Sequence, residues 1–163
     1  MKLVITDIAD FSFNISGEYV IINPRERKVV PCTGCFSCWF RTPGECLIND
    51  GCGNPSSILG KCDELIIISE CFYGSVSPFV KNVLDRSLSY VAPDFDIEDG
   101  RMKHKRRYPN TLELSAYFYG DNITEKEKHT AEKIMRANME NFRAKVKSVS
   151  FYGNTEEMAG VDF

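Results

Sequence analysis

The sequence predicts an α/β sandwich around a mostly parallel sheet, because apolar strands alternate with helices along the chain. Three stretches carry that reading. Leu65-Ile66-Ile67-Ile68 is an unbroken apolar run, the pattern of a strand buried on both faces of a parallel sheet. A helix follows it, with Ser77 as N-cap, Pro78 as first helical residue, and an apolar stripe through Phe79, Val80, Val83, Leu84, Leu88 and Val91 toward Pro93. A second helix, predicted over 125–143, opens on the capping box Thr124 to Glu127 and carries Ala131, Ile134, Met135, Met139 and Phe142 on one stripe.

The chain of 163 residues suits one domain, 1–163, large enough to bury a full core. A net charge of -3 gives no general pull toward nucleic acid or an anionic membrane, so any basic site must be local. No stretch approaches the length of a membrane span and residues 1–10 have no cleavage region. A soluble cytoplasmic protein is expected.

Taken in order, Leu3, Val4, Ile5 and Ile8 form a first strand and Tyr19 to Ile22 a second. Phe11, Phe13 and Ile15 alternate with polar residues between them, which argues for extended chain, with Ser16-Gly17 as a hairpin turn. The two strands therefore either pair through a hairpin or cross over by a bare loop. Asn23-Pro24 ends the second strand, and Arg25 to Lys28 is a charged turn before Val29-Val30.

Seven cysteines follow, four of them as C-x2-C-x2-C-x7-C at Cys32, Cys35, Cys38 and Cys46. That crowding suits metal, redox or buried thiols better than a secreted disulfide scaffold. In a helical reading the first three advance by three and share one face. Gly51 to Gly60 is loop-like with a short helix at Ser56 to Leu59, and the central strand runs Glu64 to Ser69. Asp94 to Asn110 reads as a charged loop containing RMKHKRR at Arg101 to Arg107. Strands at Leu112 to Phe118 and Val146 to Tyr152 flank the second helix, and the tail from Asn154 to Phe163 has few constraints.

The run CTGCFSCWFRTPGEC, an apolar strand, a YGS loop and FVKNVLDRS together resemble the flavodoxin-like NAD(P)H-dependent FMN reductase and iron–sulfur flavoprotein family. The likeness covers the middle and last thirds of the chain. Its start departs from the family. MKLVITDIADFSFNISGEYVIINP has no Ser/Thr/Gly/Asn-rich loop for a flavin phosphate and no room for the usual first helix. The resemblance implies the flavodoxin-like strand order and FMN as cofactor, with NAD(P)H as reductant and a small-molecule redox substrate such as flavin or a quinone. It also implies that the loop Ser69, Glu70, Cys71, Phe72, Tyr73, Gly74, Ser75 meets the flavin ring, with Glu70 where the family has Pro. Tyr119-Gly120-Asp121-Asn122 is then the second ring loop, beside the simpler reading that Gly120 turns the chain into the Thr124 cap.

The cysteines admit three readings. The spacing resembles the iron–sulfur branch of the family, with Cys32, Cys35, Cys38 and Cys46 on a [4Fe–4S] cluster. Zinc is disfavoured, since its ligands usually come as two distant pairs. The thiols otherwise pack as small hydrophobes, with Trp39 beside them. Lys103, Lys105, Arg106 and Arg107 either grip a phosphate, across a dimer, or form a solvated basic loop. His104 and His129 are expected to be solvated. No catalytic side chain is assigned. A sheet face stripped of its first helix leaves Phe11, Phe13 and Ile15 partly bare, which predicts a homo-oligomer, dimer or tetramer, unless these aromatics fold back over their own sheet. Two rival functions remain beside the flavin oxidoreductase: an iron–sulfur electron-transfer protein, and a cofactor-free binding or assembly subunit.

Overall fold

The computed structural model describes residues 1–163. In chain order they form β1 (Lys2–Thr6), β2 (Tyr19–Ile22), α1 (Ser37–Phe40), α2 (Pro55–Leu59), β3 (Glu64–Glu70), α3 (Pro78–Arg86), β4 (Val91–Glu98), β5 (Arg101–Arg106), β6 (Glu113–Tyr119), α4 (Glu125–Asn141) and β7 (Lys145–Tyr152). Five strands make a parallel sheet in the order β2-β1-β3-β6-β7, and β4 with β5 is a separate antiparallel pair. Leaving out that hairpin, the order is the 2-1-3-4-5 of flavodoxin-like folds, as expected. No helix is long and apolar enough to cross a membrane.

The pleat sends alternate residues to opposite faces. Leu3, Ile5, Leu65, Ile67, Leu114 and Ala116 join Leu59 of α2, Val80, Val83 and Leu84 of α3, and Ala131, Met135 and Met139 of α4 in the larger core. All three helices therefore cover one face. Val4, Ile66 and Ile68 point the other way, into a smaller cluster with Ile15, Met158 and Phe163.

This second face carries no helix. β1 and β2 are parallel, so residues 7–18 are a bare crossover and Ser16-Gly17 is no hairpin turn. The aromatics fold back over their own sheet: Ile15 is buried, and Phe11 and Phe13, half-buried, pack edge to face with centroids 5.2 Å apart. The tail supplies the rest of the cover. Phe163 lies 5.5 Å from Phe13 and 4.7 Å from Tyr117, and its carbonyl accepts from the Ser16 amide at 3.0 Å.

Three further expectations are corrected. The stretch read as a charged loop is the β4–β5 hairpin, whose turn Asp99-Gly100 has φ of 51° and 74°, the paired positive values of a two-residue hairpin. α3 stops at Arg86, where the Ser87 hydroxyl donates back to the Val83 carbonyl at 2.7 Å and a 3-10 turn at Leu88–Tyr90 leads into β4. The cysteine run is not helical through Cys32 and Cys35. Gly34 at φ 66° and Phe36 at φ 56° break it, leaving only Ser37–Phe40 as helix.

One ion pair holds the irregular stretch between β2 and α2 to the core. Arg86 is buried on α3 and its fork donates to Asp50 at 2.8 and 3.3 Å, to the Val30 carbonyl at 3.0 Å and to the Ile48 carbonyl at 3.1 Å. The Asp50 carboxylate also accepts from the amides of Val30 and Cys52. Burial alone would raise the Asp50 carboxyl, but the guanidinium and the two amides outweigh it and hold it at about 2, against an ordinary 3.8.

Removing one partner strands the other charge in the core, so Arg86→Met is expected to lower unfolding free energy by about 3–5 kcal/mol in a urea titration. Because the folded Asp50 is the stronger acid, its contribution, about 2 kcal/mol, is full above its ordinary value and is lost as pH falls toward 2. Asp50→Asn should flatten that acid limb; an unchanged slope between pH 4 and 2 would contradict the assignment.

Candidate functional site at the carboxyl edge of the sheet

Ligands of open parallel sheets sit beyond the carboxyl ends of the strands, where β1, β3 and β6 end side by side. β3 leaves the sheet through Cys71, whose amide donates to the Tyr119 carbonyl at 2.8 Å. Phe72 and Ser75 then exchange backbone hydrogen bonds at 2.8 and 3.0 Å across Tyr73-Gly74, whose φ values of 51° and 74° again make a two-residue turn. Buried Ser69 ties the strand to the next helix, its hydroxyl oxygen accepting from the Ser77 amide at 2.8 Å. Ser77 in turn caps α3 by accepting from the Val80 amide.

This turn holds two aromatic rings out of the core. Phe72 is 45% exposed and Tyr73 83% exposed, and their rings meet edge to face at 4.9 Å. Cys71 and Ser75 are half-buried behind them, and burial pushes the Cys71 thiol up.

Gly74 does not face this edge. A Cβ there would meet the Thr130 Cβ at 3.0 Å and the Glu127 carbonyl at 3.1 Å, so the glycine lets the turn lie against the first turns of α4.

The loop after β1 brings in a residue that sequence reasoning passed over. The Asp7 carboxylate accepts from the Glu70 amide at 2.9 Å, from the Ser69 hydroxyl at 3.4 Å and from the Tyr119 hydroxyl at 2.9 Å, joining the ends of three adjacent strands. Burial and the Asp7 charge both push the Tyr119 phenol far up, so it stays a donor. A polar residue placed directly after an apolar strand was the available signal.

Asp7 decides how the edge suits FMN. A phosphate needs converging donors, and the Glu70 amide and Tyr119 hydroxyl are already taken up by a carboxylate of like charge, while the Ser69 hydroxyl lies 2.9 Å from the Glu70 carbonyl. No helix follows β1 to supply others. The phosphate end of FMN does not fit here, whereas the exposed Phe72–Tyr73 pair is open to a planar ring.

In the second loop, the Gly120 amide donates to the Tyr152 carbonyl at 3.2 Å and Asp121 is exposed. Gly120, Asn122, Ile123, Lys128 and Tyr152 border a small cavity of about 160 Å³ between β6, β7 and α4. Thr124 and Glu127 form both halves of the expected capping box.

The four clustered cysteines are free thiols, Cys32 and Cys35 exposed, Cys38 and Cys46 half-buried. The Ser37 hydroxyl and amide hold the Cys35 thiol below its ordinary value, while burial pushes Cys38 up. No group of three or more His, Cys, Asp or Glu side chains is gathered closely enough to hold a metal ion. Trp39 packs as expected, but against His104 at 5.4 Å. His104 is not solvated: its ring lies between Trp39 and Phe95, and Nδ1–H donates to the Ala92 carbonyl at 2.9 Å. Within one chain the basic segment does not reach this edge. Lys103 and Arg106 border a cavity beside the starts of β6 and β7, at the other end of the strands.

The parallel sheet and its strand order define a flavodoxin-like α/β protein. A solved structure with a similar fold is the Trp repressor binding protein from Bacillus subtilis, at TM-score 0.53 and 14% identity, the match covering 94% of this chain and 87% of that one. A flavone reductase matches at TM-score 0.46 and 11% identity over 94% of this chain, which spans 54% of that protein's length. No family model matches the sequence, and no curated protein does.

Gly74→Val is expected to destabilise the fold by about 2–4 kcal/mol, since it combines a left-handed backbone with a clash against α4. Thermal unfolding without any ligand measures this. An unchanged melting temperature would mean that the turn does not seat against Thr130 and Glu127.

Proposed function

We propose that this chain is a flavodoxin-like redox protein that takes the isoalloxazine ring of a flavin, or a similarly flat redox molecule, against Phe72 and Tyr73 without clamping a phosphate. The exposed aromatic pair on a rigid turn at the end of the central strand carries the proposal. Two rings held out of the core at an edge where ligands collect offer a stacking surface of low ordering cost. The resemblance of the YGS loop to flavin-ring loops agrees with that placement. Under this reading NAD(P)H is the reductant and free flavin, a quinone or another small molecule the acceptor.

A second reading, a binding or assembly subunit without cofactor, is favoured by one observation. Asp7 ties three strand ends together at the place a cofactor phosphate would take.

Flavin fluorescence quenching separates the two. Riboflavin and FMN should bind with affinities within about twofold of each other, since only the ring is held, and Tyr73→Ala should weaken both about tenfold. A marked preference for FMN would refute the ring-only site. No quenching by either flavin would leave the cofactor-free subunit.

A further inference from the structure

The β4–β5 hairpin, the carboxyl end of α4 and the amino-terminal starts of β6 and β7 border an open cavity of about 330 Å³. It lies at the end of the sheet opposite the candidate flavin edge. Lys103, Arg106, Arg136, Arg143 and Lys145 line it, against the carboxylates of Glu98 and Glu140. Both carboxylates are already neutralised, Glu98 by Arg143 and Glu140 by Arg101. Lys103, Arg106, Arg136 and Lys145 have no carboxylate within ion-pair distance. Four cations without a direct ion-pair partner thus crowd one concavity in a chain of net charge -3. Their mutual repulsion opposes folding, and a bound anion would relieve it.

Arg143 gives a second, independent indication. α4 ends in a Schellman motif, with the Ala144 amide donating to the Met139 carbonyl at 2.8 Å and the Arg143 amide to the Glu140 carbonyl at 3.1 Å. The left-handed position of that motif usually belongs to glycine, yet Arg143 takes it at φ 58°, at a cost of about 1 kcal/mol. Its side chain is only 7% exposed and one nitrogen pairs with Glu98, while Nη1 is buried with no partner. A guanidinium fixed in a strained position, half satisfied and set in the wall of a basic cavity, is the donor arrangement an oxyanion completes.

We infer that this cavity binds the phosphate group of a small molecule. A single carboxylate is saturated by one guanidinium fork, whereas a tetrahedral phosphate of two or more charges accepts from cations that approach from the hairpin, the helix and the strand ends together. The volume exceeds a lone orthophosphate and lies near the lower end of small-molecule sites, roughly 300–1,000 Å³. The occupant is therefore a diphosphate or a compact phosphorylated metabolite.

The test is a titration of isotope-labelled full-length protein with inorganic pyrophosphate, orthophosphate and citrate at constant ionic strength, followed by amide NMR signals. Pyrophosphate should move signals of Lys103, Arg106, Arg136 and residues 143–146 in a saturable way, orthophosphate the same signals more weakly, and citrate far less. Arg143→Gly relieves the left-handed strain, so it should keep or raise the melting temperature while weakening pyrophosphate binding about tenfold. Arg136→Glu, on an exposed side chain, should weaken binding by at least as much. The inference is overturned if pyrophosphate produces no saturable shifts, if citrate matches it, or if the two folded variants bind it as well as the parent.

Discussion

The constraint on which the rest of this structure depends is that a parallel sheet must be dry on both faces. Its carbonyls and amides are satisfied within the sheet, and its side chains alternate, so each face demands apolar cover. Here the two faces meet that demand differently. α2, α3 and α4 cover the face of Leu3, Ile5, Leu65 and Ile67 as amphipathic helices do elsewhere. The face of Val4, Ile66 and Ile68 is covered by the β1–β2 crossover and the tail, in which Phe11, Phe13, Ile15, Phe163 and Met158 of a 3-10 turn each contribute a single side chain. That choice reaches the carboxyl edge. With no helix after β1 there are no free helix amides to receive an anion, and Asp7 turns back to take up the donors of its neighbours.

Arg86 and Arg143 show the same side chain serving two ends. Arg86 is saturated on most of its fork by Asp50 and two carbonyls, so it acts as an internal clamp that holds an irregular, cysteine-rich stretch to α3. Arg143 keeps a nitrogen without a partner beside unpaired lysines and arginines. The difference lies in what surrounds the charge. Each leaves one buried nitrogen without a partner, but in Arg86 it is Nε, behind a fork answered by its own chain, whereas in Arg143 it is a terminal Nη1 in a side chain that borders a basic cavity.

Much of the fold was legible because its signals are local. The four-residue apolar run at Leu65, the Ser77-Pro78 start and the Thr124 capping box each report backbone hydrogen bonding within a few residues. The hairpin was legible too, and was missed. Asp99-Gly100 flanked by Phe95, Ile97, Met102 and His104 is a hairpin signal that the surrounding charge obscured. The site was far less readable. Ser69, Phe72 and Tyr73 lie at the predicted edge, but Gly74 answers to α4, and the partnership of Asp7 with Tyr119 joins residues 112 positions apart. Arg143 left only a negative trace, a helix that ends in Asn-Phe-Arg with no glycine to stop it.

The cover supplied by residues 154–163 has an implication for how the molecule is made. This segment leaves the ribosome after all five strands, so the Val4, Ile66 and Ile68 face remains wet while the opposite face can already collapse onto α2, α3 and α4. A chain collapsed on the helical side alone would expose a flat, β-branched patch, the kind most readily captured by another unfinished chain. Vulnerability to misassembly is then set by the delay before Phe163 seats on Tyr117 and Phe13.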